Sequence, residues 1–380
     1  RVLFRSEDIS SDALQIGVLM GDAQLYQRDY PDPLFSEPPK EEKGTVLVAS
    51  NAFIDEIKEK VVNADVPDKE YILKYMASAT FPAFYGLAMP LLKHGAPVRP
   101  VLLDNVRRYA GYLDDYNVLV MSYEYLKPDS PDMNNAIAEW VKQGGTLVYV
   151  GDGKDPYHGI HSWWTGKYPT AAEHLFEMLG ICPTNEKQIF TCGKGRVAVW
   201  NVNPCVFGFN QQNADDYRAF FKEAVPSVEY RNYLLLHRNE YLIAAALDES
   251  VMDTPLQLHG LYADMFTSDF HIVKDPSLQP GENGLYCDLQ KLPSAAIVGT
   301  SLRVFSVETE RNTISIRAAG AGDITANIRL KVPYTVTAAA VDCEAVPFTC
   351  DAASGTVLLT FASKTGERNI VLTLGEAACC

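Results

Sequence analysis

The sequence of 380 residues lacks any run of about 18 consecutive apolar residues, which is the length that a membrane-spanning helix needs. It also lacks an excess of positive charge, because its formal net charge is −15 at pH 7. Nucleic acids and anionic membrane surfaces bind cationic faces of proteins. Neither a nucleic acid nor a membrane is therefore predicted as a partner, and neutral or cationic ligands fit the charge better.

Paired cysteine motifs are also absent. The eight cysteines are scattered, and none forms a C-x-x-C motif with a second Cys or His pair at zinc-binding spacing. No metal site and no cofactor are therefore predicted. Free thiols in a reducing compartment fit this usage and predict a cytoplasmic protein, with an upstream signal peptide left open; a disulfide between Cys343 and Cys350 is the alternative.

The first six residues, RVLFRS, resemble the translation of a common DNA sequencing-library adapter. This likeness predicts that residues 1–13 are an artefact followed by a linker, and that the natural protein continues upstream of Glu7.

Alternating apolar strands and amphipathic helices predict an α/β domain over residues 14–226, with a helical insertion at about 22–79. Buried parallel strands are predicted from the apolar runs at 14–21, 98–103, 116–121 and 146–150. Ser130 and Thr170 each precede a run with helical periodicity, which predicts that both are N-caps. Glu173, three residues after Thr170, completes a capping box.

The pattern changes after Pro226, where apolar residues begin to alternate with polar ones. This period of two predicts an antiparallel β region over 227–292 and a C-terminal β-sandwich over 293–376. The predicted fold class is therefore α/β plus all-β: a parallel sheet domain followed by antiparallel β-sheets.

Four acidic residues follow predicted strands or lie close behind them: Asp22, Glu124, Asp152 and Asp155. Ligands of open parallel sheets bind beyond the carboxyl ends of the strands, at the point where the strand order reverses. If strands one and three flank that point, these acids face one crevice and could bind sugar hydroxyls, a cation or a partner's arginine. The alternative is that they cap neighbouring helices or are solvated.

The loop after the fourth strand is rich in rings and includes His158, His161, Trp163 and Trp164. Aromatic rings stack on the apolar faces of sugars while imidazoles and carboxylates bind their hydroxyls, so this loop is a candidate carbohydrate site. The equal alternative is that the two tryptophans anchor the loop to its own domain or to a neighbouring one. A metal bound by His158 and His161 is disfavoured, since no nearby acid has a recognised zinc spacing.

The segments YNVLVMSYEYLKP, AEWVKQGGTLVYVGDG and CGKGRVAVW resemble the trimerisation domain of bacterial β-galactosidase-type glycoside hydrolases. The resemblance covers about Leu14–Val225 and is strongest at Trp140–Val150 and Gly193–Arg196. It implies a flavodoxin-like domain, related to class I amidotransferases without their nucleophile, that follows a catalytic (β/α)8 barrel. In that family the domain helps to form a trimer and can lend an aromatic residue to an active-site entrance, for which Trp163 and Trp164 are candidates by position.

Class I amidotransferases need a thiolate on a strained turn after a strand. Here that turn falls in Val150–Gly153 and holds Asp152, which excludes their chemistry. The predicted function is therefore a non-catalytic assembly and substrate-cleft portion of a glycoside hydrolase, inactive alone, with carbohydrate, an N-terminal catalytic domain and a homo-oligomer as partners. The alternatives are a stand-alone carbohydrate-binding protein and a hydrolase that uses a carboxylate pair from Asp22, Glu124 or Asp152.

Overall fold

The computed structural model describes residues 14–21 and 83–375, except for 125, 155, 160, 209–210 and 249–252. The predicted insertion at 22–79 and the predicted site residues Asp22 and Asp155 lie outside the described residues. Within the described residues, the chain divides into an α/β unit (14–234 and 247–253) and a β unit (235–246 and 254–375). This order of a mainly parallel sheet followed by antiparallel sheets confirms the predicted fold class.

A six-stranded sheet forms the centre of the α/β unit. Its strands are β1 (Ile16–Met20), β2 (Val98–Leu102), β3 (Val118–Met121), β4 (Thr146–Val150), β5 (Lys187–Cys192) and β6 (Gly195–Trp200). Their order is β2-β1-β3-β4-β6-β5, and all neighbours are parallel except β5 and β6. The strand order therefore reverses between β1 and β3, as the sequence analysis required for a shared crevice.

Five α-helices accompany this sheet in the described residues. They are α1 (Ala83–Leu92), α2 (Leu103–Arg108), α3 (Pro131–Gln143), α4 (Ala171–Leu179) and α5 (Gln211–Ala224). Both predicted N-caps precede their helices. Thr170 forms the full capping box, with its hydroxyl accepting the Ala172 N–H at 3.2 Å. The Ser130 side chain makes no capping hydrogen bond.

Apolar side chains cover both faces of the sheet. Leu119, Leu147 and Tyr149 belong to the core that contains α3 and α4. Val118 and Val148 belong to the core that contains α1 and α5. Because successive residues of a strand face opposite sides, a strand covered on both faces is apolar throughout, and this is why β3 and β4 were predictable as parallel strands.

The turn between β5 and β6 packs closely against the last turn of α3. A Cβ on Gly193, whose φ is +60°, would lie 2.7 Å from the Lys142 carbonyl oxygen. A Cβ on Gly195 would lie only 2.0 Å from the Val141 carbonyl oxygen. The Lys194 N–H donates to the Lys142 carbonyl at 2.9 Å, which satisfies a group that the helix end would otherwise leave free.

The first part of the β unit is a five-stranded antiparallel sheet in the order β11-β10-β13-β8-β7, with a two-stranded ribbon of β9 and β12. Its strands are β7 (Tyr233–Arg238), β8 (Tyr241–Ala246), β9 (Leu256–Gln257), β10 (Leu261–Asp264), β11 (Ile272–Lys274), β12 (Ser277–Leu278) and β13 (Asn283–Asp288).

The rest of the β unit is a sandwich of two antiparallel sheets around a shared apolar core. One sheet contains β14 (Ala296–Thr300), β17 (Thr325–Lys331), β20 (Phe348–Asp351) and β21 (Thr356–Ala362). The other contains β15 (Arg303–Glu310), β16 (Thr313–Gly320), β18 (Val336–Val341), β19 (Glu344–Ala345) and β22 (Gly366–Leu374).

Strand β17 fastens the sandwich to the preceding sheet region through alternate polar side chains. Asn327, Arg329 and Lys331 each donate to main-chain carbonyls of that region. The acceptors are Ser268 for Asn327 (2.8 Å), Asp269 for Arg329 (3.1 Å), and Leu289 and Leu292 for Lys331 (2.8 Å each). Arg329 is buried, and this burial lowers the pKa of its guanidinium.

The six cysteines in the described residues are free thiols, as predicted. Cys343 and Cys350 are both exposed and do not form a disulfide. None of the helices in the described segments is long and apolar enough to cross a membrane.

Candidate functional site

The candidate site lies at the carboxyl ends of β3 and β4. Glu124 follows β3 and Asp152 follows β4, so the neighbouring strands bring the two acids to the same edge of the sheet. Each acid has a different environment there: Glu124 is completely buried, and Asp152 is half-buried.

Glu124 holds the loop that follows β4. Its Oε1 accepts the N–H of Gly153 at 2.8 Å, and its Oε2 lies 3.5 Å from Nε2 of His158. His158 is itself 6% exposed, so the carboxyl group of Glu124 and the imidazole beside it are both buried. Glu124 and His158, which were predicted separately as site residues, are therefore in contact with each other.

Tyr149 completes this buried cluster from the sheet side. A Cβ on Gly151 would lie 3.0 Å from the Tyr149 hydroxyl and 3.1 Å from Oε1 of Glu124. Glycine at 151 therefore lets the backbone pass close to both groups. Burial, together with the nearby charge of Glu124, raises the pKa of Tyr149 well above its ordinary value, so its hydroxyl stays protonated.

Asp152 lies in the turn that follows β4. Its Oδ1 accepts the N–H of Lys154 at 3.2 Å in a local turn, and Gly153 adopts a φ of +67°. The turn therefore holds a carboxylate at the position that the sequence analysis compared with an amidotransferase nucleophile.

The two tryptophans anchor the loop to its own domain. Trp164 is 1% exposed and donates its Nε1–H to the His158 carbonyl at 3.2 Å. Trp163 donates its Nε1–H to the Pro128 carbonyl at 2.8 Å, and its ring meets the edge of the His174 ring at 5.0 Å. Of the two interpretations in the sequence analysis, these contacts fit the anchoring role, and the indole of Trp164 has no free face to offer a ligand.

His161 is exposed on the loop, whereas His158 is buried. Among the described residues, no group of three or more His, Cys, Asp or Glu side chains is arranged to hold a metal ion.

A cleft of about 540 Å³ opens beside this cluster, between the ends of β4 and β6 and the helix α4. Of the predicted site residues that the structure describes, only Asp152 lines it. The other lining side chains include those of Glu173, Phe176, Glu177, Asn185 and Asn201. No Lys, Arg or His is among the lining residues in the described part of the chain.

This cleft was not predicted from the sequence. Phe176, which lines it, is only half-buried in the structure. A usable signal was present, since Glu173, Phe176 and Glu177 recur at i, i+3 and i+4 and therefore share one helix face. The contributions of Asn185 and Asn201 depend on the antiparallel pairing of β5 with β6, which brings distant residues together.

Comparison with family models and with curated proteins finds no match for this chain. Comparison with solved structures finds glycoside hydrolases at low similarity. A catalytic mutant of Gan42B, a GH42 β-galactosidase from G. stearothermophilus, is 13% identical with a TM-score of 0.38, over 73% of this chain and 41% of that chain. A β-galactosidase from Bacillus circulans sp. alkalophilus is 11% identical with a TM-score of 0.34, over 54% and 37%.

An α-L-fucosidase isoenzyme 2 from Paenibacillus thiaminolyticus is 10% identical with a TM-score of 0.26, and the match covers 79% of this chain and 46% of that chain. The chain thus spans less than half the length of these solved structures.

Proposed function

We propose that this chain is a non-catalytic portion of a β-galactosidase-like glycoside hydrolase, and that its α/β unit serves assembly and contributes to the substrate cleft. The observation that carries the proposal is the turn after β4. The resemblance to class I amidotransferases predicts a thiol nucleophile at the position of Asp152, and Glu124 beneath this turn is buried and holds the Gly153 N–H.

The environment of Glu124 supports a structural role for this acid. A general acid or base must come within hydrogen-bond reach of its substrate. Glu124 has no exposed surface, one oxygen accepts a backbone N–H, and the other faces a buried imidazole. It is thereby committed to holding the loop after β4.

The segments that carry the family resemblance support a scaffold for a different reason. Gly193–Arg196 and Trp140–Val150 meet at the amino end of the sheet, where the ring of Trp140 covers Gly145 and Gly195 packs against the α3 backbone. Arg196 donates to the Ala224 carbonyl at 3.0 Å, at the end of α5. The residues that carry the family resemblance therefore lie where helices pack against the amino end of the sheet. Asp152 lies at the opposite, carboxyl end.

Turnover assays test the proposal. The purified chain is incubated with a panel of 4-nitrophenyl glycosides and separately with glutamine, and we expect release no greater than in buffer alone. Turnover that Asp152→Asn or Glu124→Gln abolishes would identify a hydrolase with a carboxylate pair and overturn the proposal. An open reading frame upstream of the Glu7 codon that encodes no (β/α)8 barrel would also overturn it.

Stability measurements on Glu124 provide an independent check. Glu124→Ala leaves the Gly153 N–H without its acceptor, so we expect the free energy of unfolding to fall by about 2 kcal/mol. Glu124→Gln retains an acceptor oxygen and should cost less. Urea unfolding of the two variants decides the matter, because equal stability of Glu124→Ala and the natural protein would contradict a structural role.

A further inference from the structure

The cleft beside Asp152 has the dimensions and position of a ligand site. Its volume of about 540 Å³ falls within the range of about 300–1,000 Å³ that small-molecule sites occupy. It opens at the carboxyl ends of β4 and β6, the edge at which parallel sheets bind their ligands.

One wall of the cleft is aromatic and held in place. The ring of Phe176 meets the buried Tyr149 ring edge to face, with centroids 5.1 Å apart and planes at 83°. Tyr149 fixes the orientation of Phe176 from behind, while the half-buried Phe176 lines the cleft. A flat apolar surface of this kind binds a flat apolar face of a ligand, such as the C–H face of a pyranose ring.

Three carboxylates line the same cleft, and each of them is oriented by a hydrogen bond. Glu173 accepts the N–H of Thr170 at 3.0 Å, and Glu177 accepts the hydroxyl of Tyr168. A carboxylate has about four lone-pair sites, so each acid can accept further hydrogen bonds from a ligand. Asp152 is the third, and its Oδ1 is oriented by the N–H of Lys154.

Amide side chains complete the lining on the side of β5 and β6. Asn185 and Asn201 are exposed there and can both donate and accept hydrogen bonds. With no Lys, Arg or His among the described residues that line the cleft, the three carboxylates disfavour any anionic ligand, including phosphorylated or acidic sugars. A ligand with many hydroxyls and one apolar face satisfies both the acids and the ring of Phe176.

We infer that this cleft binds a neutral saccharide, with its ring on Phe176 and its hydroxyls donating to Asp152, Glu173 and Glu177. The class of ligand rests on the proposed carbohydrate-related function, whereas the location rests on the cleft alone. The site is separate from the buried cluster of Glu124 and His158 that holds the loop.

Isothermal titration calorimetry tests the inference with the full chain, using galactose, glucose, lactose and cellobiose as probes. We expect saturable binding of at least one probe, and a loss of affinity of about tenfold or more in Asp152→Asn and in Phe176→Ala. Galactose 6-phosphate should bind more weakly than galactose, because its charge repels the three acids.

Two controls separate a binding defect from a folding defect. Glu223→Gln removes an exposed acid of α5 outside the cleft and should bind as the natural protein does. Phe176→Leu retains apolar volume but loses the flat ring, so it should weaken saccharide binding while its thermal unfolding stays close to that of the natural protein.

Three outcomes would overturn the inference: no saturable binding of any neutral probe, unchanged affinity in both cleft variants, or tighter binding of galactose 6-phosphate. Saturable calcium binding that Asp152→Asn removes, with no saccharide binding, would identify a cation site and overturn it as well. None of these outcomes is turnover of a glycoside, so failure of this inference and failure of the proposed function remain distinguishable.

Discussion

The two ends of the parallel sheet both carry a Gly-x-Gly sequence, and each end uses it differently. At the amino end, a Cβ on Gly195 would lie 2.0 Å from the Val141 carbonyl oxygen, so the glycine allows backbone to pack on backbone. At the carboxyl end, a Cβ on Gly153 would lie 3.5 Å from the methyl group of Thr170, which is ordinary contact. Gly153 instead provides a φ of +67° and an N–H for Glu124.

The difference shows that a Gly-x-Gly sequence can serve either close packing of backbone on backbone or a loop that needs a positive φ. At the amino end, the β5–β6 turn makes main-chain contacts with α3, and a cleft of about 410 Å³ lies beside it, lined in part by Lys194, Gly195 and Arg196. At the carboxyl end, the cleft of about 540 Å³ lies next to the glycines, with acids and an aromatic ring around it. The two ends therefore differ in the lining of their clefts: among the described residues, basic side chains line the first, and acids with the ring of Phe176 line the second.

The largest effect on stability should come from adding a side chain at Gly195, where β6 packs against the α3 backbone at the amino end. We expect Gly195→Ala to lower the free energy of unfolding by about 3 kcal/mol, because the new methyl group displaces the backbone of α3 or β6. Gly159→Ala is the matched control, since a Cβ there meets nothing within 4 Å, and it should change stability by less than about 0.5 kcal/mol. Urea unfolding measures both, and equal effects would show that close approach does not distinguish the two ends.

A buried histidine at the amino end allows a test by pH, with an exposed histidine at the carboxyl end as its control. Burial, with the nearby charge of Arg218, lowers the pKa of His94 at the amino end to about 4. The unfolded chain, with a His pKa of about 6.5, binds more protons between these values, so stability present above pH 6.5 is lost as the pH falls toward 4.

We expect this loss to be about 2 kcal/mol and to be absent in His94→Gln when the two proteins are compared by urea unfolding at several pH values. His161→Gln, at an exposed position of the other end, should leave the pH dependence unchanged. The same slope in His94→Gln and in the natural protein would contradict the assignment to His94.

The smallest effect should come from the helix that borders the cleft. Thr170→Ala removes the hydroxyl that accepts the Ala172 N–H, and we expect a cost of about 1 kcal/mol. Ser130→Ala at the start of α3 is the control, because the Ser130 side chain makes no capping hydrogen bond and its loss should have little effect. Thermal unfolding that places Ser130→Ala below Thr170→Ala would contradict the difference between the two caps.

Periodicity made much of the α/β unit predictable. β4 spans Thr146–Val150 as predicted, and α3 begins directly after Ser130. Both elements were predictable because a strand covered on both faces is apolar throughout, and the apolar residues of an amphipathic helix recur every three to four positions. α2 was not predicted from the sequence. It has six residues and buries only Leu103 and Val106, and two buried residues are too few to show a helical period.

The candidate site was predictable only in part, because sequence does not tell which side of a loop faces inward. The parallel pairing of β3 with β4 placed Glu124 and Asp152 at one edge, as expected for neighbouring parallel strands. Composition could not tell that Trp164 is buried while Phe176 lines a cleft. Both outcomes depend on contacts between residues distant in sequence, such as those of Trp163 with Pro128 and His174.

The polar side chains of β17 have a consequence for how the β unit can be divided. A fragment that begins at residue 293 would retain Arg329 and Lys331 and lose the carbonyls of Asp269, Leu289 and Leu292 that they bind. We therefore expect the sandwich to be less stable in such a fragment than in the full chain, since these side-chain hydrogen bonds would be lost. In protein engineering and in gene recombination alike, we expect the sandwich to be transferred intact to another protein only together with the sheet that precedes it.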